Sequence, residues 1–392
     1  MSSTVDRRSG RIGRRSFLER GTLGMLATVA AVLTAGCGGS SSPSSARPSA
    51  ASSSSGAYVS EEARKLVSAA ASKGETTLTL SWSGNTLGGV EGYRKFEAVF
   101  NSMYGTNMKI DFTPGPSMTD MMAKVSQEVA AGRATSTDVL IGTDSHYVPI
   151  LDRGVLEGYD YATLSPWIRP DMVAPNQIGV EIYGTTAGVL YNPGLVPESA
   201  VPHKLADTLD PRWKGKIASS PDAAYLDIVT LRPEWGPEKM KAFVTSLTDQ
   251  VAGLLRVGEE TRIVSGEFAM LVMGNTHSVT DLKGAQIKVV IPTDAGVTRF
   301  VYLGVPRTAA HPNLAKLFIN MILSADGQRI LYDVYSTDHY ELPGSRSAED
   351  LKAQGIDKSQ MLAVNIQLVA QHPELKQVNQ DLSRILREKG GK

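Results

Sequence analysis

The chain has one cysteine, Cys37, so no internal disulfide can staple the fold. Histidine is scarce too, at positions 146, 203, 277, 311, 339 and 372. Their spacing matches no zinc-ligand pattern. Neither charge sign is in excess, the formal net charge being +0, and no basic patch dominates. Nucleic-acid binding therefore lacks its electrostatic footprint. There is no Gly-x-Ser-x-Gly elbow, no phosphate loop ending in Gly-Lys-Ser/Thr and no His-Glu-x-x-His helix. The motif-borne hydrolase and nucleotide chemistries are thereby removed. The expectation is a non-enzyme with no cofactor and no metal site.

What is present begins with an address. Arg14-Arg15-Ser16-Phe17-Leu18 looks like a twin-arginine export signal, with Glu19 in place of the usual Lys, so Sec export stays open. The apolar run from Gly21 to Gly36 is shorter than the ~20 residues a spanning helix needs. Charged front, apolar middle and small-residue end describe a signal peptide over 1–36. The run closes on Leu33-Thr34-Ala35-Gly36-Cys37, which resembles the lipobox of bacterial lipoproteins, with Thr34 where Leu is commoner. That resemblance implies that Cys37 becomes the lipidated first residue, tethered to the outer face of the cell membrane. The Ser-rich stretch after it can bury little apolar area. Residues 37–59 are thus read as lipid anchor and linker. The leader holds six Arg against Asp6 and Glu19, so its removal leaves a mildly acidic body.

That body alternates between helical and strand periodicities. Ser60 can cap a helix with Glu61 and Glu62 in its first turn. Leu78, Leu80 and Trp82 alternate with polar residues, as a strand requires. Tyr93, Phe96 and Phe100 recur at helical spacing. Met108, Ile110 and Phe112 alternate again, Ser117 caps another helix, and Asp138 to Gly142 is a short strand. The order αβαβαβ predicts a parallel sheet under helices. Strands are predicted at 189–192, 216–220, 268–273, 287–291 and 299–305. Helices are predicted at 222–231, 238–254 and 312–323, and a helical tail from Ser347.

Four segments stand out: Glu62–Ala70, Gly188–Pro193, the phrase Leu209-Asp210-Pro211-Arg212-Trp213-Lys214-Gly215-Lys216-Ile217, and His311–Phe318 running on to Ser324–Gln328. Together they make the chain resemble bacterial extracellular solute-binding proteins of the ferric-binding and sugar-phosphate-binding group. The resemblance spans residue 60 to about 340. Trp213 is expected to pack beside a turn at Gly215, and Gly327 to end a helix as a left-handed cap. The implied fold is α/β, the two-lobed type 2 periplasmic-binding fold, with parallel-dominated sheets flanked by helices. By analogy lobe one is 60–182 plus 293–340, and lobe two is 183–292 plus 341–392. Hinges would lie near Tyr183-Gly184-Thr185 and Ile291-Pro292-Thr293. The implied role is capture of a small molecule and its delivery to an ABC permease and ATPase, by a monomer. Presentation of ligand to a sensor kinase is the alternative role.

Ligands of α/β sheets sit beyond the carboxyl ends of strands. Here those ends offer Ser83, Asn85, Ser117, Asp144, Ser145, Thr185, Thr186, Tyr225, Asn275 and Thr276. Capping or turn formation accounts for any one of them as well; as a set they point to binding. A phosphorylated or carboxylated solute is the first expectation. A polyamine is the second, with Trp82, Tyr225, Asp144 and Asp222 as an aromatic and acidic cleft. Ferric-binding relatives carry two adjacent tyrosines after the strand that follows a Gly-Glu step. Here Gly266-Glu267 and its strand lead to Asn275-Thr276-His277, which argues against a tyrosinate iron site.

Overall fold

The structure is a computed structural model that describes residues 59–390 apart from 224, 257, 283 and 354. The leader, Cys37 and the serine-rich linker lie outside the described residues.

In chain order, α1 (Glu61–Ser72), β1 (Thr77–Trp82), α2 (Gly89–Tyr104), β2 (Lys109–Pro114), α3 (Met118–Ala130), β3 (Leu140–Thr143) and α4 (Asp144–Tyr147) come first. A long strand, β4 (Val180–Tyr191), leads to β5 (Ile217–Ser219), α5 (Leu226–Val229), α6 (Pro237–Thr248) and β6 (Val251–Leu254). Next come α7 (Thr261–Val264), β7 (Met270–Asn275), α8 (His277–Asp281), β8 (Lys288–Val290) and β9 (Val297–Gly304). The chain continues through α9 (Pro312–Ile322), α10 (Ala325–Tyr335), α11 (Arg346–Ala353), β10 (Leu362–Val364), α12 (Ile366–Gln371) and α13 (Leu375–Gly390).

Local chemistry starts these helices where the sequence indicates. Ser60 Oγ accepts the Ala63 N–H at 3.1 Å. Ser117 Oγ accepts the Asp120 N–H at 3.2 Å. Each satisfies one of the orphan donors of a first turn. Gly327 departs from its expected role. It lies in the first turn of α10, where Ser324 Oγ accepts its N–H. A Cβ there would stand 2.1 Å from the Met321 carbonyl oxygen, so close approach, not a left-handed cap, requires glycine.

The sheets are mixed. β1 and β2 pair in parallel, as do β5 with β6, β5 with β7, and β9 with β10. β4 runs antiparallel to β7, β8 and β9, and β3 antiparallel to β9. The parallel dominance expected from the αβαβαβ order therefore gives way to an even mixture among the described strands. Two long strands, β4 and β9, cross the molecule; β4 collects antiparallel partners and β9 partners of both directions. The helix predicted over 238–254 stops at Thr248, and its end becomes β6 beside β5. Pairing with a neighbouring strand overrides the local helical spacing there.

Two apolar cores flank this crossing. One gathers Leu78, Leu80, Trp82, Phe96, Phe100 and Phe318 with Tyr183 of β4 and Val301 of β9. The other gathers Trp213, Met240, Phe243 and Leu386 with Ala187 of β4 and Val297 of β9. Both strands thus pass from one core to the other over a few residues. At that point Gly184 lets them approach. A Cβ on it would meet Thr298 Cγ2 at 2.7 Å. Trp213 is buried and Gly215 has a positive φ of 72°, so the expected packing of that tryptophan beside a turn holds.

Candidate functional site

Along β4 every residue is buried except Thr185, and along β9 every residue is buried except Arg299. These two are register partners across the β4–β9 ladder. The only partly open positions of both strands therefore coincide, at the place where the strands change core.

Arg299 is held on the side of the first core by Asp144. Its Nε donates to Oδ1 at 3.0 Å and its Nη2 to Oδ2 at 2.7 Å. This is the paired planar geometry that suits guanidinium and carboxylate. Asp227 of α5 approaches from the second core, with Oδ1 3.9 Å from Nη1. Asp227 is otherwise satisfied by the Ile228 N–H at 2.9 Å and Asn379 Nδ2 at 3.1 Å. Burial raises the Asp227 pKa and the Arg299 charge pulls it back, leaving it above the ordinary aspartate value.

Tyr225 completes this wall. Its hydroxyl donates to Asn275 Oδ1 at 2.6 Å and stands 2.9 Å from Thr185 Oγ1. One phenolic proton cannot serve both, so the threonine hydroxyl is free to turn toward the phenol or toward the Arg299 carbonyl at 3.3 Å. Tyr225 holds a φ of 68°, a region that non-glycine residues rarely occupy. It thereby displaces the start of the helix predicted from residue 222 to Leu226. Met273, two residues before Asn275, has a φ of 58°. Burial pushes the Tyr225 hydroxyl pKa up, so it is a neutral donor.

On the other side, His146 links the end of β3 to the start of α3. Its Nδ1 accepts the Thr143 N–H at 3.2 Å, and its Nε2 lies 3.2 Å from Thr119 Oγ1. An accepting Nδ1 puts the ring proton on Nε2, which donates to Thr119. Burial lowers the His146 pKa, and Arg299 adds to that against the opposing pull of Asp144.

Of the residues singled out from the sequence, Asp144, Tyr225 and Asn275 come together here. Asp144 is fully buried and both its oxygens engage Arg299. Thr276 donates its backbone N–H to Thr186. With Thr185, Thr186, His277 and Thr337 it lines a cavity of about 260 Å³. Ser117 and Ser145 are exposed. Ser117 Oγ donates to the Asp120 carboxylate at 2.8 Å, and Ser145 Oγ lies 2.9 Å from Thr143 Oγ1. Ser83 pairs locally with Thr86 at 2.8 Å, and Asn85 is exposed beside it. The structure does not bring these last two to Arg299 through any described contact. The aromatic and acidic set named for a polyamine is not assembled. Trp82 is buried with its Nε1 on the Val139 carbonyl at 2.9 Å, and Asp222 pairs with Arg387 at 2.7 Å.

Arg299, Asp227 and His146 were missed by the sequence reading. A lone charged residue in the mainly apolar run 297–305 is the signal that could have found the first. Among the described residues, no group of three or more His, Cys, Asp or Glu side chains is placed to hold a metal. Among them, too, no helix is long and apolar enough to cross a membrane.

The family model for bacterial extracellular solute-binding protein matches residues 138–360. The Fe(3+)-binding periplasmic protein of Serratia marcescens is 26% identical over 257 residues, covering 60% of this chain and 75% of that protein. The fold is similar to that of iron-bound HitA from Pseudomonas aeruginosa, with a TM-score of 0.61 and 18% identity over 78% of this chain and 99% of that one. It is similar as well to the spermidine/putrescine ABC transporter substrate-binding protein PotD of Streptococcus pneumoniae. There the TM-score is 0.58 and the identity 16%, over 79% of this chain and 100% of that one.

Proposed function

The chain belongs to the bacterial extracellular solute-binding proteins, and from that premise we propose that it captures a small polar solute against the wall of Thr185, Tyr225, Asn275 and Arg299. In this reading the solute is then handed to the permease of an ABC importer. The observation that carries the site is the coincidence of Thr185 and Arg299, each the one partly open residue of its strand and each the other's register partner. A buried wall that opens only there has one place for a solute to reach the crossing strands.

The two cores support a two-lobed reading with the ligand between them. β4 changes core between Tyr183 and Ala187, and β9 between Val297 and Val301. Closure would turn on those residues, as hinge motions do. Arg299 supplies a cation for an anionic group on the solute, while Thr185, Tyr225, Asn275 and Thr276 supply neutral hydrogen bonds. Ser83, Asn85, Ser117 and Ser145 would act from loops that approach on closure.

The test is a thermal-shift screen over phosphorylated, carboxylated, polyamine and ferric candidates, since a ligand of the folded state raises Tm. Calorimetry on Arg299→Lys with the best hit follows. Affinity unchanged in that variant would move the site elsewhere. The proposal extends to a monomer tethered through Cys37. Cys37→Ala should release the protein from membranes, and persistent membrane association would refute the tether.

A further inference from the structure

Two carboxylates face one guanidinium at the crossing, and this imbalance bears on the solute. Asp144 engages Nε and Nη2 of Arg299 with both of its oxygens. Asp227 stands 3.9 Å from the remaining nitrogen, Nη1. That separation is too long for a hydrogen bond. Nη1 therefore keeps donor capacity, and Asp227 Oδ1, which accepts the Ile228 N–H at 2.9 Å, keeps its second lone pair beside it. With 14% of the Arg299 side chain and 6% of the Asp227 side chain accessible, a solute reaching them gives up much of its own hydration.

In such surroundings an unmatched charge is costly. A doubly charged phosphate would find a single cation that already has two anionic neighbours. A simple amine drawn to Asp227 would leave Arg299 Nη1 without an acceptor, and would meet the Arg299 charge with no carboxylate of its own to offset it. A molecule carrying both signs leaves the net charge of the wall unchanged and matches its two halves. We infer that the solute is a zwitterion, whose carboxylate takes Arg299 Nη1 and whose ammonium faces Asp227 Oδ1. Asp144 is a positioning residue that fixes the plane of the guanidinium, and the Tyr225–Asn275 pair offers neutral hydrogen bonds beside it. This assignment rests on the site described under the proposed function and adds the class of its ligand.

The experiment uses the purified protein with the twenty common α-amino acids and glycine betaine as probes. Acetate, putrescine and glycerol 3-phosphate serve as single-sign controls. At least one zwitterion should raise Tm and bind in calorimetry. Its deaminated and decarboxylated analogues should each bind about tenfold more weakly or worse, as expected when a hydrogen bond to a charged group is lost. Asp227→Asn and Arg299→Lys should each weaken the zwitterion to a similar degree. Absence of binding by every zwitterion overturns the inference, as does a deaminated analogue that binds as well as its parent. If putrescine or glycerol 3-phosphate binds instead, and Arg299→Lys weakens it, the site stands and the zwitterion assignment falls. If a zwitterion binds equally to the parent, Arg299→Lys and Tyr225→Phe, the site itself is misplaced. The analogue series keeps its meaning even if a variant fails to fold.

Discussion

Arg299 and Asp144 are 155 residues apart in sequence and meet edge to edge through two hydrogen bonds of 3.0 and 2.7 Å. Burial opposes the Arg299 charge, but Asp144 and then Asp227 more than offset it, so its pKa stands above the ordinary arginine range. Asp144→Ala would leave a guanidinium largely buried without its main partner. The expected loss of stability is about 3–5 kcal/mol in urea unfolding. Arg299→Lys keeps a cation but loses the fork, and should cost less. A loss under about 1 kcal/mol for Asp144→Ala would show that the pair does not hold the crossing.

Tyr225→Phe removes the donor to Asn275 Oδ1 and keeps the ring. Stability should fall by about 1 kcal/mol. Ligand affinity should fall as well, because Asn275 loses the bond that orients it. An unaltered Tm together with unaltered affinity would exclude Tyr225 from the wall.

Ser117→Ala and Thr276→Ala separate capping from binding. Ser117 is the N-cap of α3, so its loss should cost about 1 kcal/mol of stability in the unliganded protein. Thr276→Ala should leave unliganded stability nearly unchanged and weaken solute binding by about 1 kcal/mol. Thermal unfolding and calorimetry on the pair read the two effects. A Thr276 variant that binds as the parent does would remove that residue from the site.

Acid should loosen the link through His146. Its pKa in the folded protein is lowered, first by burial. Such a group contributes stability that is present above its unfolded pKa of about 6.5 and is lost as pH falls through the folded value. Protonation also places a hydrogen on Nδ1, where the Thr143 N–H now donates. His146→Asn offers an acceptor that does not titrate. Its Tm should fall less steeply than the parent's from pH 7 downward; parallel curves would show that His146 has no part in the dependence.

Ferric salts should produce no visible phenolate-to-iron band. Asn275 ends β7 and Thr276 follows it, where ferric-binding relatives are expected to carry paired tyrosines, and burial pushes the nearby Tyr225 and Tyr183 hydroxyls up, away from the phenolate form. A coloured complex in absorption spectroscopy would overturn this.

Much of the site was legible as a set of strand ends. Asp144 and Tyr225 follow β3 and β5, and Asn275 is the last residue of β7, where α/β sheets bind ligands. Arg299 was not legible in this way. It sits within β9, and only its register with Thr185 makes it part of the site. Asp227 was hidden inside a predicted helix whose start the left-handed Tyr225 displaces. β6 was misread because Val251, Gly253 and Leu254 suit a helical face as well as a strand, and pairing with β5 decided between them.

The sequence by itself determined the helix caps at Ser60 and Ser117, the strand periods of β1 and β2, and the phrase around Trp213 that marks the family. These depend on neighbours within a few positions, and short-range preferences are written in the order of residues. Only the tertiary structure decided that Thr185 meets Arg299 and that Asp144 and Asp227 converge on one guanidinium. Those meetings join segments far apart in the chain, Thr185 and Arg299 by 114 residues and Asp144 and Arg299 by 155. They arise from the crossing and register of two buried strands, where packing and charge pairing across the whole body outweigh any local preference.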